Sequence, residues 1–179
     1  MEVYVDATTV ISLGNVGRLD LLDAFDGRVL IPDEVAAEVT TEPAHSNLWQ
    51  FLDGTVPDDD GACVTDAVET SRVEARSLLN EDEVTGDVVL VGAVIRLQRA
   101  DEDVAVVSDD RRVRRIAEGL CADVTGTVGV LVRAVSEDRL DGTDGVRLVE
   151  RLDERGLHMT AELRARAEEL VRNAADRSP

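Results

Sequence analysis

The sequence predicts an α/β fold: a central parallel sheet, helices on both faces, and a helical C-terminal extension. Three observations carry this. Short, wholly apolar runs such as Val3-Tyr4-Val5 and Val104-Ala105-Val106-Val107 read as strands buried on both faces. Segments of helical period lie between them, so successive strands are joined by crossovers and run parallel. Acidic residues end these runs, where open α/β sheets gather ligand-binding groups beyond the carboxyl ends of their strands.

The elements follow in order. Glu2 to Val5 is the first strand. Thr8 to Leu13 and Arg18 to Phe25 read as two short helices, punctuated by Gly14 and Gly17. Val29-Leu30-Ile31 is a second strand, stopped by Pro32. Proline in the first turn, with Asp33 and Glu34 at the positive end of the dipole, opens the next helix. Val35, Glu38 and Val39 occupy neighbouring positions on it, so Glu38 is expected to point inward. Residues 53–61 carry a loop signal, and Ala62 to Val64 reads as a short strand. Glu69 to Leu79 fits a helix with Val73, Leu78 and Leu79 inward. A helix from about Val84 to Leu97 buries Val88, Val91, Val94 and Ile95 and holds Asp87 in its first turns. Val104 to Val107 is the clearest interior strand, followed by a helix from Arg111 to Leu120, an edge strand at Asp123-Val124 and a helix from Val128 to Val135. The last third is helical: Thr143 to Glu154, then Thr160 to Asn173 with Leu163, Ala167, Leu170 and Val171 at helical spacing. The 179 residues are expected to form one domain, 1–140 as its body and 141–179 as a helical extension packed on it.

Charge narrows the function classes. Thirty-eight Asp and Glu face nineteen basic residues, all arginine, for a net charge of −19. Such a surface repels itself and destabilises the compact state at low salt. The composition resembles that of haloarchaeal proteins, suited to a cytosol where charges are screened within a few ångströms; a GC-rich genome would also favour arginine over lysine. A generic basic footprint for nucleic acid is missing. The densest basic cluster is Arg111, Arg112, Arg114 and Arg115. It reads either as a substrate contact or as a solvated helix face that balances local charge. No apolar run is long enough to span a bilayer, and the first residues lack a signal peptide's features, so a cytoplasmic protein without membrane contact is expected. Cys63 and Cys121 show no metal spacing and read as free, buried thiols. His45 and His158 are isolated, which argues against a histidine-based triad.

In so acidic a chain, placement and not number identifies a site. Asp58 to Asp60, Glu81 to Glu83 and Asp101 to Asp103 lie in polar connectors and read as solvated surface. Asp6, Glu38, Asp87 and the pair Asp109-Asp110 each end or interrupt an apolar segment, where a carboxylate is costly unless paired or metal-bound. Singly, each has a plainer reading. Asp6, Asp109 or Asp110 would cap the following helix, Asp87 would be a first-turn acid, and Glu38 an arginine's partner. As an ordered set on an α/β pattern they read as oxygen ligands for a hard divalent cation, Mg²⁺ or Mn²⁺. A phosphatase of the haloacid-dehalogenase type also begins with Asp after a strand. It is excluded, because Thr8 stands where its second Asp belongs and the chain has no lysine.

In that order the segments resemble the PIN-domain family. Asp6 ends the first strand and precedes Ala7-Thr8-Thr9-Val10-Ile11; Leu30-Ile31-Pro32-Asp33-Glu34-Val35-Ala36-Ala37-Glu38 looks like the second acidic motif; Gly86-Asp87-Val88-Val89-Leu90 looks like the third; Val106-Val107-Ser108-Asp109-Asp110 looks like the fourth. Thr125-Gly126-Thr127-Val128-Gly129-Val130-Leu131 and Arg155-Gly156-Leu157-His158-Met159-Thr160 resemble the C-terminal part of a prokaryotic, VapC-like subgroup. Residues 53–83 depart from the family in being more acidic and loop-like. The resemblance implies a three-layer α/β/α PIN-like fold and a Mg²⁺- or Mn²⁺-dependent endoribonuclease, often the toxin of a toxin–antitoxin pair and often a homodimer. It implies Asp6, Asp87 and Asp109 or Asp110 as metal ligands, Glu38 and Asp87 as groups able to orient the attacking water, and Ser108 as support for an Asp. Arg111, Arg112 and Arg115 are the expected contacts to RNA. The alternative is a catalytically weak PIN-like module that works through protein contacts.

Overall fold

The computed structural model describes residues 1–54 and 66–177. Its centre is a sheet of four parallel strands in the order β2-β1-β3-β4, formed by β1 (Glu2–Val5), β2 (Arg28–Leu30), β3 (Val104–Val107) and β4 (Asp123–Thr125). Val3 of β1 stands opposite Val29 on one side and Ala105 on the other. Val3, Tyr4 and Val5 are buried, as is every residue of β3. Successive side chains of a strand point to opposite faces, so burial of both parities requires helices above and below the sheet. The short edge strands β2 and β4 are partly exposed.

The helices are α1 (Ala7–Asn15), a 3-10 helix (Leu19–Ala24), α2 (Asp33–Glu38), α3 (Ala44–Gly54), α4 (Asp66–Leu79), α5 (Gly86–Arg99), α6 (Arg111–Gly119), α7 (Thr127–Ser136), α8 (Gly142–Glu154) and α9 (Ala161–Ala175). One group packs around α1, which meets α3, α7 and α8, with α9 lying on α7 and α8. The other centres on α5, which meets α2, α4 and α6. Gly14 lets α1 approach α3 closely, since a Cβ there would lie 3.0 Å from Ala44. Leucines 13, 22, 48, 90, 97, 131, 148 and 152 supply much of the core volume. Among the described residues no helix is long and apolar enough to cross a membrane.

The α/β expectation holds, with local corrections. Helix α3 has no counterpart in the sequence reading: its stretch is rich in weak helix formers, and Ala44 and Leu48 are its fully buried positions, while Trp49 stays exposed. On α4, Val73 and Leu78 are exposed at 56% and 48%, and Ser71, Ala75 and Leu79 are the buried stripe. The cause is proximity. A Cβ on Gly92 of α5 would lie 3.5 Å from the backbone of Arg72, so small residues suit the contact better than large aliphatics. Leu163 is likewise exposed, and Ala167, Val171 and Ala174 form the packed side of α9. Glu38 is exposed and does not join the buried Val35 and Val39. Cys121 is an exposed free thiol. The loop read at 53–61 begins inside α3; its remainder, the strand read at Ala62 to Val64, and Cys63 lie outside the described residues.

Candidate functional site

From β1 the chain proceeds to β2 on one side and later to β3 on the other, which makes the crevice beyond β1 and β3 the sheet's switch point. Asp6 follows β1 directly. Its backbone N–H extends the ladder onto the Val107 carbonyl at 3.0 Å. Its side chain is buried, and both oxygens accept hydrogen bonds. Oδ1 accepts the Thr9 N–H at 2.7 Å and caps α1, while Oδ2 accepts the hydroxyls of Thr8 at 2.7 Å and Ser108 at 2.5 Å. The buried Ser108 hydroxyl also accepts the Asp110 N–H at 3.1 Å. One hydroxyl therefore ties together the ends of the two central strands. Asp110 caps α6 through Oδ1, which accepts from the N–H groups of Arg112 at 2.7 Å and Val113 at 3.0 Å. Its Oδ2 has no hydrogen-bond donor among the described residues.

Helix α5 runs antiparallel to the sheet's strands and brings Asp87 to the same edge. Its start is held twice: Thr85 Oγ1 accepts the Val88 N–H at 3.4 Å, and Glu38 Oε1, reaching across from the end of α2, accepts the Gly86 N–H at 2.9 Å. A Cβ on Gly86 would lie 2.9 Å from that Glu38 oxygen and 2.9 Å from Val35, so glycine makes room for the contact. Asp87 itself accepts no backbone N–H among the described residues. Burial and then the negative charge of Asp110 push its carboxyl above the ordinary carboxylate range; Arg112 opposes this and Asp6 adds to it. Asp87 therefore feels the negative charge of both Asp110 and Asp6.

Asp109 faces away from them. Its Oδ1 accepts the Thr127 N–H at 3.0 Å and its Oδ2 accepts the Thr127 hydroxyl, so it caps α7 from another element. The helix's own N-cap residue is Gly126, which offers no side chain, and a Cβ there would lie 2.4 Å from Asp109 Oδ1. A glycine at an N-cap, read from sequence, was the available signal that the cap comes from elsewhere. Among the arginines, Arg112 turns inward: Nη2 donates to Glu81 at 2.8 Å and to Asp87 at 3.4 Å, and Nη1 to the Leu79 carbonyl at 3.0 Å. Arg114 donates to the Ser108 carbonyl at 3.4 Å. Arg111 and Arg115 are exposed and form no ion pair among the described residues. Glu81, which the sequence assigned to solvated surface, is an anchor for Arg112; no feature of its local sequence announces that.

Four of the five acids thus hold helix starts: Asp6 at α1, Glu38 at α5, Asp110 at α6 and Asp109 at α7. For Asp6, Asp110 and Asp109, capping and convergence are one arrangement, because α1, α6 and α7 follow parallel strands and begin at the same edge. The donors at that edge are oxygens only, a set that fits Mg²⁺ or Mn²⁺ better than a softer metal. The crowding felt by Asp87 is the kind of repulsion a divalent cation offsets. Among the described residues no three His, Cys, Asp or Glu side chains stand as a ready cage for an ion. The three carboxylates share an edge without closing on a common point. In comparison with known proteins, a family model described as a PIN domain matches residues 2–173. No curated protein and no solved structure matches the chain.

Proposed function

The chain belongs to the PIN-domain family, whose members are generally nucleases, and from that premise we propose a divalent-metal-dependent endoribonuclease that hydrolyses RNA phosphodiester bonds, acting as the toxin of a toxin–antitoxin pair. The observation that carries the reading is the placement of Asp6, Asp87 and Asp110 at one edge of the sheet, where burial and then the charge of Asp110 raise the Asp87 carboxyl. In this reading the three hold Mg²⁺ or Mn²⁺ through carboxylate oxygens. Bound there, the ion supplies a water of lowered pKa and offsets charge on the phosphodiester. Thr8 and Ser108 fix the Asp6 carboxylate in one orientation. Asp87, beside the ion, would orient the attacking water. Glu38 positions Asp87 by holding the start of α5, and Asp109 positions the end of β3 against α7. Arg111 and Arg115, one helical turn apart and free of ion pairs among the described residues, are the contacts for RNA phosphates.

The test is cleavage of a panel of single-stranded RNAs in molar KCl with Mn²⁺, Mg²⁺ or EDTA. Metal-dependent cutting is expected, reduced at least about 100-fold in Asp6→Asn and in Asp87→Asn. Asp6→Asn keeps the Oδ1 cap on α1, so its melting temperature should stay close to that of the parent. Cleavage that survives EDTA, or cleavage unchanged in both variants, would sink the assignment. One observation favours a second reading, a PIN-like module acting through protein contacts: no ready ligand cage is present among the described residues, and Arg112 already lies on Asp87. That reading expects a stable fold that binds no Mn²⁺.

A further inference from the structure

Arg112 departs from its neighbours on α6. Its guanidinium, still open to water, reaches three acceptors: the Leu79 carbonyl at the end of α4, Glu81 in the connection to α5, and Asp87 in the first turn of α5. The contacts are graded. Glu81 is met at 2.8 Å and the carbonyl at 3.0 Å, whereas Asp87 is met by a single nitrogen at 3.4 Å, the long end of hydrogen bonding. Leu79 and Glu81 have no part in the chemistry proposed above. Together they form a cradle that keeps a permanent cation beside an acidic site.

We propose that Arg112 is the built-in counter-ion of this site, lying on Asp87 while no divalent cation is bound and withdrawing onto Glu81 and the Leu79 carbonyl when a cation takes Asp87. The proposal rests on the nuclease reading, since it takes Asp87 as a metal ligand. Its physical basis is competition. A guanidinium stays protonated at any physiological pH, so it competes with a divalent cation for Asp87 whatever the pH. The one-nitrogen contact lacks the bidentate geometry of strong arginine–carboxylate pairs, so exchange is cheap. Both partners are open to water, 48% for the Arg112 side chain and 31% for that of Asp87, which places the effect in the range of a surface ion pair. Glu81 sets the balance, because without it Asp87 is the only carboxylate Arg112 has.

Mn²⁺ binding by the full chain at low ionic strength, read by calorimetry and by the Mn²⁺ spin-resonance signal, tests this without reference to activity. Arg112→Gln should tighten binding about two- to fivefold. Glu81→Gln should weaken it, and that opposite sign keeps the test open even where Arg112→Gln fails to fold. Arg111→Gln removes the same charge one residue away without touching Asp87 and should tighten binding less. In an Asp87→Asn background, Arg112→Gln should have no effect, and in molar KCl all of these differences should shrink. Unchanged or weaker binding in a folded Arg112→Gln variant would overturn the counter-ion role and leave the nuclease reading intact. No Mn²⁺ binding by the parent or by any variant would overturn both.

Discussion

Asp109 and Asp110 are adjacent acids with opposite duties. The Asp109 carboxylate is spent on Thr127, one oxygen on the N–H and the other on the hydroxyl. Asp110 caps its own helix with one oxygen, and its negative charge bears on Asp87. Two substitutions separate the duties. Asp109→Ala removes a cap and should cost about 1 kcal/mol of stability, lowering the melting temperature, with Mn²⁺ affinity retained. Asp110→Asn keeps an acceptor for the Arg112 and Val113 N–H groups, so it should melt near the parent temperature and lose Mn²⁺ affinity. Thermal melting and Mn²⁺ titration of the two variants check this, and the reverse pattern would exchange the two roles. The sequence alone left the choice open, because both residues follow a strand and precede a helix.

At the scale of elements, ion pairs at the surface add to the apolar faces that hold α8 and α9. Glu168 on α9 lies between Arg172 at 2.8 Å and Arg164 at 3.3 Å, and Arg164 also reaches Glu150 of α8 at 2.7 Å. Hydrogen bonds from Arg172 and then Arg164 hold the Glu168 carboxyl below the ordinary glutamate range. A depressed folded pKa contributes stability that is present above the unfolded value and is lost as pH falls through the folded one. The melting temperature should therefore drop on the acid side, below the usual glutamate pKa, and Glu168→Gln should flatten that part of the profile. An acid limb identical in the variant would remove Glu168 from the account. Period and apolar content made β1, β3 and α5 legible in advance. On α4 and α9 they held in part: Leu79, Ala167 and Val171 are buried as expected, whereas Val73, Leu78 and Leu163 face solvent.

For the whole molecule, a net charge of −19 at pH 7 works against compaction. Raising KCl from about 0.1 M to about 1 M shortens the Debye length from about 10 Å to about 3 Å and screens most of that repulsion. The melting temperature should rise across this range, as screening of the self-repulsion requires. A salt-independent melting temperature would mean that the surface charges are already balanced locally by ion pairs such as Arg164 with Glu150.

The sequence by itself determined the α/β class, the parallel sheet and the edge at which the acids gather, because apolar period and strand-ending residues are local properties. The family followed from the order of those acids along the chain. Only the tertiary structure decided which acids face one another. Asp6, Asp87 and Asp110 come from three segments, and the effect of the other two on Asp87 depends on how α5 is set against β1 and β3. The same holds for Arg112, which looked like one of four equivalent arginines until α4 and α5 supplied its acceptors. Side-chain direction in a crowded polar site is settled by partners distant in sequence, and no local pattern carries that information.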